Sequence, residues 1–452
     1  MTDRTISNKL RQMLQPQRLQ HSSITSRPIT DPRTPFESDY SRVLLSAPLR
    51  RLQDKAQVYP LADNDFVRTR LTHSIEVSRF AKDMGRGIEE LLYKKGLLDD
   101  DIHQARWISS ILEVVGLVHD IGNPPFGHTT EKYIQSFFKN IPNADIPEPI
   151  KQAYQSLTPR QRSDFEHFDG NAQGLRILLN LGVVNFNLTM PTLSAFIKYP
   201  YDSLTGNRPK NEAENHMQEK FGYFDCNEAD YKRIYQTLGL KPNQRHPLTF
   251  VLEAADDIAY LVCDIEDGAK VGAFGVEDIR QTFAKHGCLQ WIEEHLLHQI
   301  NDEQFLHQLR IKMQGQMLNA CVETFVNHIE QIVNGTFMED LIGASPMKAY
   351  KPIFKELDIY NFISPAAVDK EEMGKQAIGL LLKHYMVKLF TDNHLSPETF
   401  MEDGFSENYW NKACEEGNST PSDAYKKFML ITDYISGMTD GYTLQLARRV
   451  RQ

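Results

Sequence analysis

The chain is 452 residues long, 41% hydrophobic and 24% charged with a net charge of −10, which excludes wholesale disorder and leaves ample apolar material for a core. No apolar run approaches the ~18 residues that a bilayer crossing needs, and the first twenty residues carry charges where a secretion signal needs an apolar stretch. The five cysteines have no CxxC spacing, so reduced thiols and a cytoplasmic setting are expected, without a zinc ribbon or a disulfide frame.

Charge is spread unevenly. Residues 1–72 hold 12 Lys/Arg and 7 Asp/Glu, a balance of +5, which leaves −15 for the remainder. A basic leading segment on an acidic body suits local binding of phosphates rather than coating by nucleic acid.

Residues 1–35 are polar and contain Pro16, Pro28, Pro32 and Pro35, and are expected to form an arm without regular structure of its own. Helical patterning begins near Glu37, bends at Pro48 and resumes around Thr69. From there Leu71, Ile75, Phe80, Met84, Ile88 and Leu91 predict a helix with one buried face, stopped at Gly96. A second helix is expected over 100–119, ending in IGNPPFG, and a third starts at once in HTTEKYIQSFF. Residues 140–165 are dotted with prolines and read as a loop. Helices are expected over 166–181 and 189–198, then a polar, turn-rich surface insertion over 200–227, then a long helix over 248–271. The C-terminal part reads as helices over 276–300, 302–334, 368–391 and 421–449, with a further start at Ser396-Pro397-Glu398. No strand alternation is sustained, so the fold class is all-α.

Three of these helices carry candidate metal ligands. His119-Asp120 closes an apolar helix beside a tight Gly/Pro turn, and a neutral imidazole with an ionised carboxylate is a metal-ligand pair. His73 and Asp256 lie among apolar residues on two other helices and complete an N2O2 set. Such a set is harder than a zinc–thiolate site and suits Mn, Mg, Fe, Co or Ni. On the helix of Asp256, Tyr260 and Asp264 follow at i+4 and i+8 and share its face. His128 and Glu131 stand three apart at the start of the next helix, the arrangement of an imidazole oriented by a carboxylate for proton transfer.

The run RTPFESDYSRVLLSAPLRRLQDKAQVYPLADNDFVRTRLTHSIEV resembles the N-terminal block of the deoxyguanosine triphosphate triphosphohydrolases of the HD-domain superfamily. HDIGNPPFGHTTE resembles their HD loop, and FDGNAQGLRIL, IKYP, EAADDIAYLVCDIEDG and ISGMTDGY follow in the family's order. The resemblance covers most of 33–272 and a short block near 432–442. It divides the chain into an arm (1–35), an HD-type catalytic core (36–272) and a helical region (273–452) that completes the core and makes oligomer contacts.

The resemblance implies a divalent metal, Mn or Mg foremost, held by His73, His119, Asp120 and Asp256, and a catalytic pair, His128 with Glu131. Arg70 and Lys198 would hold the triphosphate, Tyr199 and Tyr260 would line the nucleotide site, and Gln57 and Asp264 would contact the deoxyribose. Asn171 would contact substrate, and His167 is a further histidine near the site in some relatives. The implied reaction is a deoxynucleoside triphosphate plus water giving the deoxynucleoside and tripolyphosphate, with dGTP favoured. The alternative is another HD-type phosphohydrolase, a nucleotide phosphodiesterase or monophosphatase. The family also implies homo-oligomers, hexamers among them, and in some relatives a response to single-stranded DNA.

Overall fold

The computed structural model describes residues 3–19, 31–61, 66–181, 186–208, 216–297, 300–362, 365–392, 396, 398, 407–414 and 423–451. Among them there is no strand. Two isolated bridges, Arg18 with Thr189 and Ala56 with Thr69, are the sole β-type pairings. The all-α expectation holds.

The site is framed by α4 (Arg70–Lys94) and α6 (Trp107–Val118), which pack along each other. Small residues let the two backbones approach: a Cβ on Gly116 would sit 2.6 Å from Ser78 Cα. The buried stripe on α4 includes Met84 and Ile88 as expected, together with His73 and Val77, but Ile75 is 53% exposed. The helix has turned its small and polar residues inward because the α6 contact rewards close approach over side-chain bulk.

Several other expectations need correcting. The arm contains a helix, α1 (Asp3–Met13), whose Ile6, Leu10 and Met13 are buried. It is fastened by Lys9 to Asn334 and by His246 Nε2–H to the Met13 carbonyl, so the polar composition masked a 4–3 apolar spacing. The helix expected over 100–119 breaks at Arg106 (φ 54°, ψ 46°) into α5 (Asp100–Gln104) and α6. After α7 (His128–Asn140), the supposed loop contains α8 (Glu148–Gln155) and α9 (Pro159–Glu166). Pro149 and Pro159 are first-turn residues, Pro147 is the N-cap of α8, and Thr158 with Gln161 forms a capping box. Tyr154 and Phe165 from these helices join Phe138 and Phe428 in one aromatic cluster, with Phe138 and Phe165 stacked at 4.7 Å.

A break at His167–Asp169 delays α10 to Gly170–Arg176, which passes into one π-turn at Ile177–Leu181. Next come α11 (Met190–Phe196) and then a segment that is turn-rich as expected, but its described parts, 200–208 and 216–227, are not a surface insertion. Its Phe221, Tyr223 and Phe224 are buried. An unforeseen α12 (Glu228–Leu238) leads to the long α13 (Pro247–Lys270). The remaining helices are α14 (Val276–Lys285), α15 (Leu289–His295), α16 (Asp302–Asn327), α17 (Ile329–Asn334), α18 (Lys351–Phe362), α19 (Pro365–Thr391), α20 (Glu407–Ala413), α21 (Ala424–Ser436) and α22 (Asp440–Val450). Single helices expected over 276–300 and 421–449 are each split, the second by Gly437-Met438-Thr439, where Thr439 caps α22. The expected start at Ser396-Pro397-Glu398 lies largely outside the described residues. One continuous apolar cluster joins α1 to α22, so the C-terminal helices share the core of the first half.

Candidate active site

Three helices bring His73, His119, Asp120 and Asp256 together at a cavity of about 630 Å³, whose wall includes the last three. His119 follows the last turn of α6, and its Nδ1–H donates to the Gly116 carbonyl at 2.8 Å. That bond selects the tautomer that leaves Nε2 as a lone pair. This buried Nε2 has no hydrogen-bond partner, although Asp256 Oδ1 lies 3.2 Å away. His73 Nε2 lies at the same 3.2 Å from that oxygen. Ligand atoms of His73, His119 and Asp120 fall within 4.8 Å of one another. The His119 lone pair, buried without a proton to accept and faced by two carboxylates, fits a cation between them.

The carboxylates are held in turn. Asp120 accepts from Arg70 Nη1 at 2.7 Å and from Asn123 Nδ2 at 2.6 Å. Asp256 Oδ2 accepts from Lys198 Nζ at 2.6 Å. Burial works against ionisation of both, yet His119 and Arg70 beside Asp120, and Lys198 and His119 beside Asp256, keep the two carboxyls below the usual carboxylate range.

The Gly/Pro turn brings the second pair close. Gly127 has φ +61° and ψ −139°, a conformation that suits glycine, and a Cβ there would meet Arg70 Nη2 at 2.7 Å. His128 then opens α7, its side chain 67% exposed and facing the cavity. Its Nδ1–H donates to Glu131 Oε2 at 2.6 Å, and Glu131 Oε1 accepts from the Gly170 amide at 2.8 Å. Against its burial, the His128 imidazole pulls the Glu131 carboxyl down to about 2.

Gln57, Arg70, Asn171, Lys198, Tyr199 and Tyr260 all line the same cavity. Gln57 Oε1 is buried without a partner. Asn171 is oriented by Asp169, which accepts from both its backbone and its side-chain amide at 2.8 Å. Tyr260 donates its hydroxyl to Asp358 of α18. Two expected residues are not brought to the cavity wall. Asp264 is buried away from the lining, and burial pushes its carboxyl well above the usual range. His167 bonds to Ser163 at 3.0 Å at the end of α9, with burial lowering its imidazole.

Lys220 was missed. It lines the cavity 3.8 Å from Asp169, which raises its ammonium against the pull of burial. The signal was the run Phe221, Tyr223, Phe224: an aromatic density that a surface insertion would not carry. Lys132, Glu253, Asp257 and Glu371 also reach the wall.

Residues 70–156 match the HD domain family. Over 97% of this chain and 98% of the relative, the sequence is 36% identical to a deoxyguanosinetriphosphate triphosphohydrolase-like protein of Listeria monocytogenes. A protein of the same description from Synechocystis is 31% identical over 93% of this chain and 94% of its own. The deoxyguanosinetriphosphate triphosphohydrolase of an Enterobacter species is 30% identical over 92% and 93%. The chain belongs to the deoxyguanosinetriphosphate triphosphohydrolase family. It is a phosphohydrolase of the HD type. The HD match contains His73, His119, Asp120, His128 and Glu131, whereas Asp256, Lys198, Lys220 and Tyr260 reach the cavity from beyond it. No helix among the described residues is long and apolar enough to cross a membrane.

Proposed function

We propose that this protein hydrolyses deoxynucleoside triphosphates, dGTP foremost, to the deoxynucleoside and tripolyphosphate. One observation carries the reading: a metal-ligand cluster, a His–Glu pair and the cations Arg70, Lys198 and Lys220 meet at one cavity. A triphosphate brings about four negative charges, and that cavity offers a guanidinium fork and two ammonium groups to receive them. The names borne by the relatives support dGTP as the favoured nucleotide.

His73, His119, Asp120 and Asp256 would hold a divalent ion, Mn or Mg foremost. Bound there, it would supply Lewis-acid polarisation of the α-phosphate. Arg70 and Lys198 now bind the cluster's carboxylates, so they stand where phosphate oxygens arrive beside it. Tyr199 and Tyr260 wall the nucleotide, Asn171 donates to it, and Gln57 offers its unpartnered oxygen to the deoxyribose. Close packing at C2′ rejects a ribose by steric clash. With Nδ1–H committed to Glu131, His128 presents Nε2 to the cavity and moves a proton between water or the departing 5′-oxygen and itself. Glu131 holds the ring and supports the imidazolium. Asp264 and His167 do not line the cavity and have no part in this reading.

Initial rates on the four dNTPs and four rNTPs, at matched Mn or Mg, test the proposal. dGTP turning over fastest with GTP far behind supports it. Comparable rates on GTP and dGTP refute the sugar selection. Turnover of a phosphodiester or a nucleoside monophosphate instead points to a different HD-type phosphohydrolase.

A further inference from the structure

Lys55 stands in the QDKAQ run, two residues before Gln57 of the cavity wall, yet only 3% of it is exposed and it does not line the cavity. Its ammonium donates to two main-chain carbonyls, Asn123 at 2.6 Å and Ser436 at 2.7 Å. Its own carbonyl accepts from the Arg70 amide at 3.0 Å, at the start of α4. Asn123 is the residue whose side-chain amide holds Asp120 Oδ1 at 2.6 Å. Ser436 is the last residue of α21, so its carbonyl has no helical acceptor role left and faces the negative end of that helix.

The next helix supplies the complement. Asp440, 2% exposed, is the first residue of α22. Its Oδ2 accepts from the Ala56 amide at 3.0 Å and its Oδ1 from the Phe126 amide at 2.9 Å. Lys55 and Ala56 are thus pinned from both sides of the α21–α22 turn. Through Asn123 and Phe126 the same turn grips both ends of the segment between Asp120 and His128. Packing alone does not call for a lysine here. Burial pulls its ammonium down to about 7, against Asp440, and a methionine would fill the space without that penalty.

We propose that Lys55 and Asp440 are positioning residues, which use the C-terminal helix pair to fix the Asn123–Phe126 turn and with it the Asp120 carboxylate and His128. The inference rests on the proposed metal and proton-transfer roles of those two residues. It also gives the C-terminal helices a part in the site, although none of α21 or α22 lines the cavity.

The test compares wild type with Lys55→Met, Asp440→Asn and Phe428→Leu, the last a core substitution in the aromatic cluster away from this turn. Mn binding to the nucleotide-free protein is measured by titration calorimetry, and dGTP turnover is measured in parallel at a temperature well below unfolding. Positioning predicts Mn affinity and kcat both down ~10–100-fold in Lys55→Met, with KM little changed, and a smaller loss of the same kind in Asp440→Asn. Phe428→Leu should lower the melting temperature and leave both quantities intact. Mn affinity and kcat unchanged in Lys55→Met and Asp440→Asn, or lowered equally in Phe428→Leu, would overturn the proposal. If Lys55→Met does not fold, Asp440→Asn decides on the same two readouts. Should wild type leave dGTP untouched, the substrate assignment fails, while the Mn titrations still decide the positioning.

Discussion

His246 gives a test of how the helix of Asp256 is anchored. It caps α13, with Nδ1 accepting from the Leu248 amide at 3.2 Å and Nε2–H donating to the Met13 carbonyl at 3.1 Å. It is fully buried, and burial pulls its imidazole down to about 4. The Leu248 bond needs the neutral ring, because a proton on Nδ1 would face an amide N–H, whereas the bond to the Met13 carbonyl survives protonation. A histidine in the unfolded chain titrates near 6.5. The folded value lies below it, so the stabilisation is fully present above pH 6.5 and is lost as the pH falls toward 4. At ~1.4 kcal/mol per unit, the whole effect is about 3 kcal/mol, of which about 2 kcal/mol falls between pH 7 and pH 5. His246→Asn keeps a side-chain acceptor for the Leu248 amide but has nothing to titrate in this range. The variant should be less stable at pH 7, and its deficit should shrink by about 2 kcal/mol at pH 5. Urea unfolding followed by tryptophan fluorescence, with metal chelated in both proteins, reads the difference and cancels titrations common to the two. A deficit that stays constant from pH 7 to pH 5 would refute the argument.

Other perturbations address the site directly. Asp120→Ala should remove bound metal, measured by elemental analysis, with helical content by circular dichroism preserved; full metal occupancy would contradict the ligand set. His128→Ala should lower kcat by ~10²–10⁴-fold and leave metal content intact, and Glu131→Gln should act in the same direction. The double variant should be little worse than either single one, since the two act as a unit. Gly122→Ala should destabilise the protein by about 1–3 kcal/mol and cost activity, because the added methyl would overlap the Gly170 carbonyl and the Gly174 amide where α10 meets the Asp120 turn. A melting temperature equal to that of wild type would show that this contact yields freely.

Much of this arrangement was legible before any coordinates. The apolar run of α6, the IGNPPFG stop and the length of α13 are strong local signals, and they put His119 and His128 at the right helix ends and Asp256 inside the right helix. That His73 meets Asp256 is a long-range fact, expected from their donor types on apolar helices, whereas the bond from Lys198 to Asp256 was not expected, the resemblance having placed Lys198 on the triphosphate. The failures share a cause. Prolines at 149 and 159 read as loop formers, although a first-turn proline lacks only an N–H that the helix leaves unused. Polar composition hid α1, whose few apolar residues are correctly spaced, and hid the buried aromatics that bring Lys220 to the cavity. Ile75 was expected inside by hydrophobicity, but the tight contact between α4 and α6 selects for small side chains. Asp264 does share a helix with Asp256, yet eight residues further along α13 it is buried and does not line the cavity.

The identity of the phosphate product tests the central claim most directly. Purified protein, Mn or Mg, and dGTP should be incubated and followed by ³¹P nuclear magnetic resonance. The account predicts tripolyphosphate, with its distinct central-phosphorus resonance, appearing in step with deoxyguanosine. Pyrophosphate with dGMP, or orthophosphate with dGDP, would contradict it.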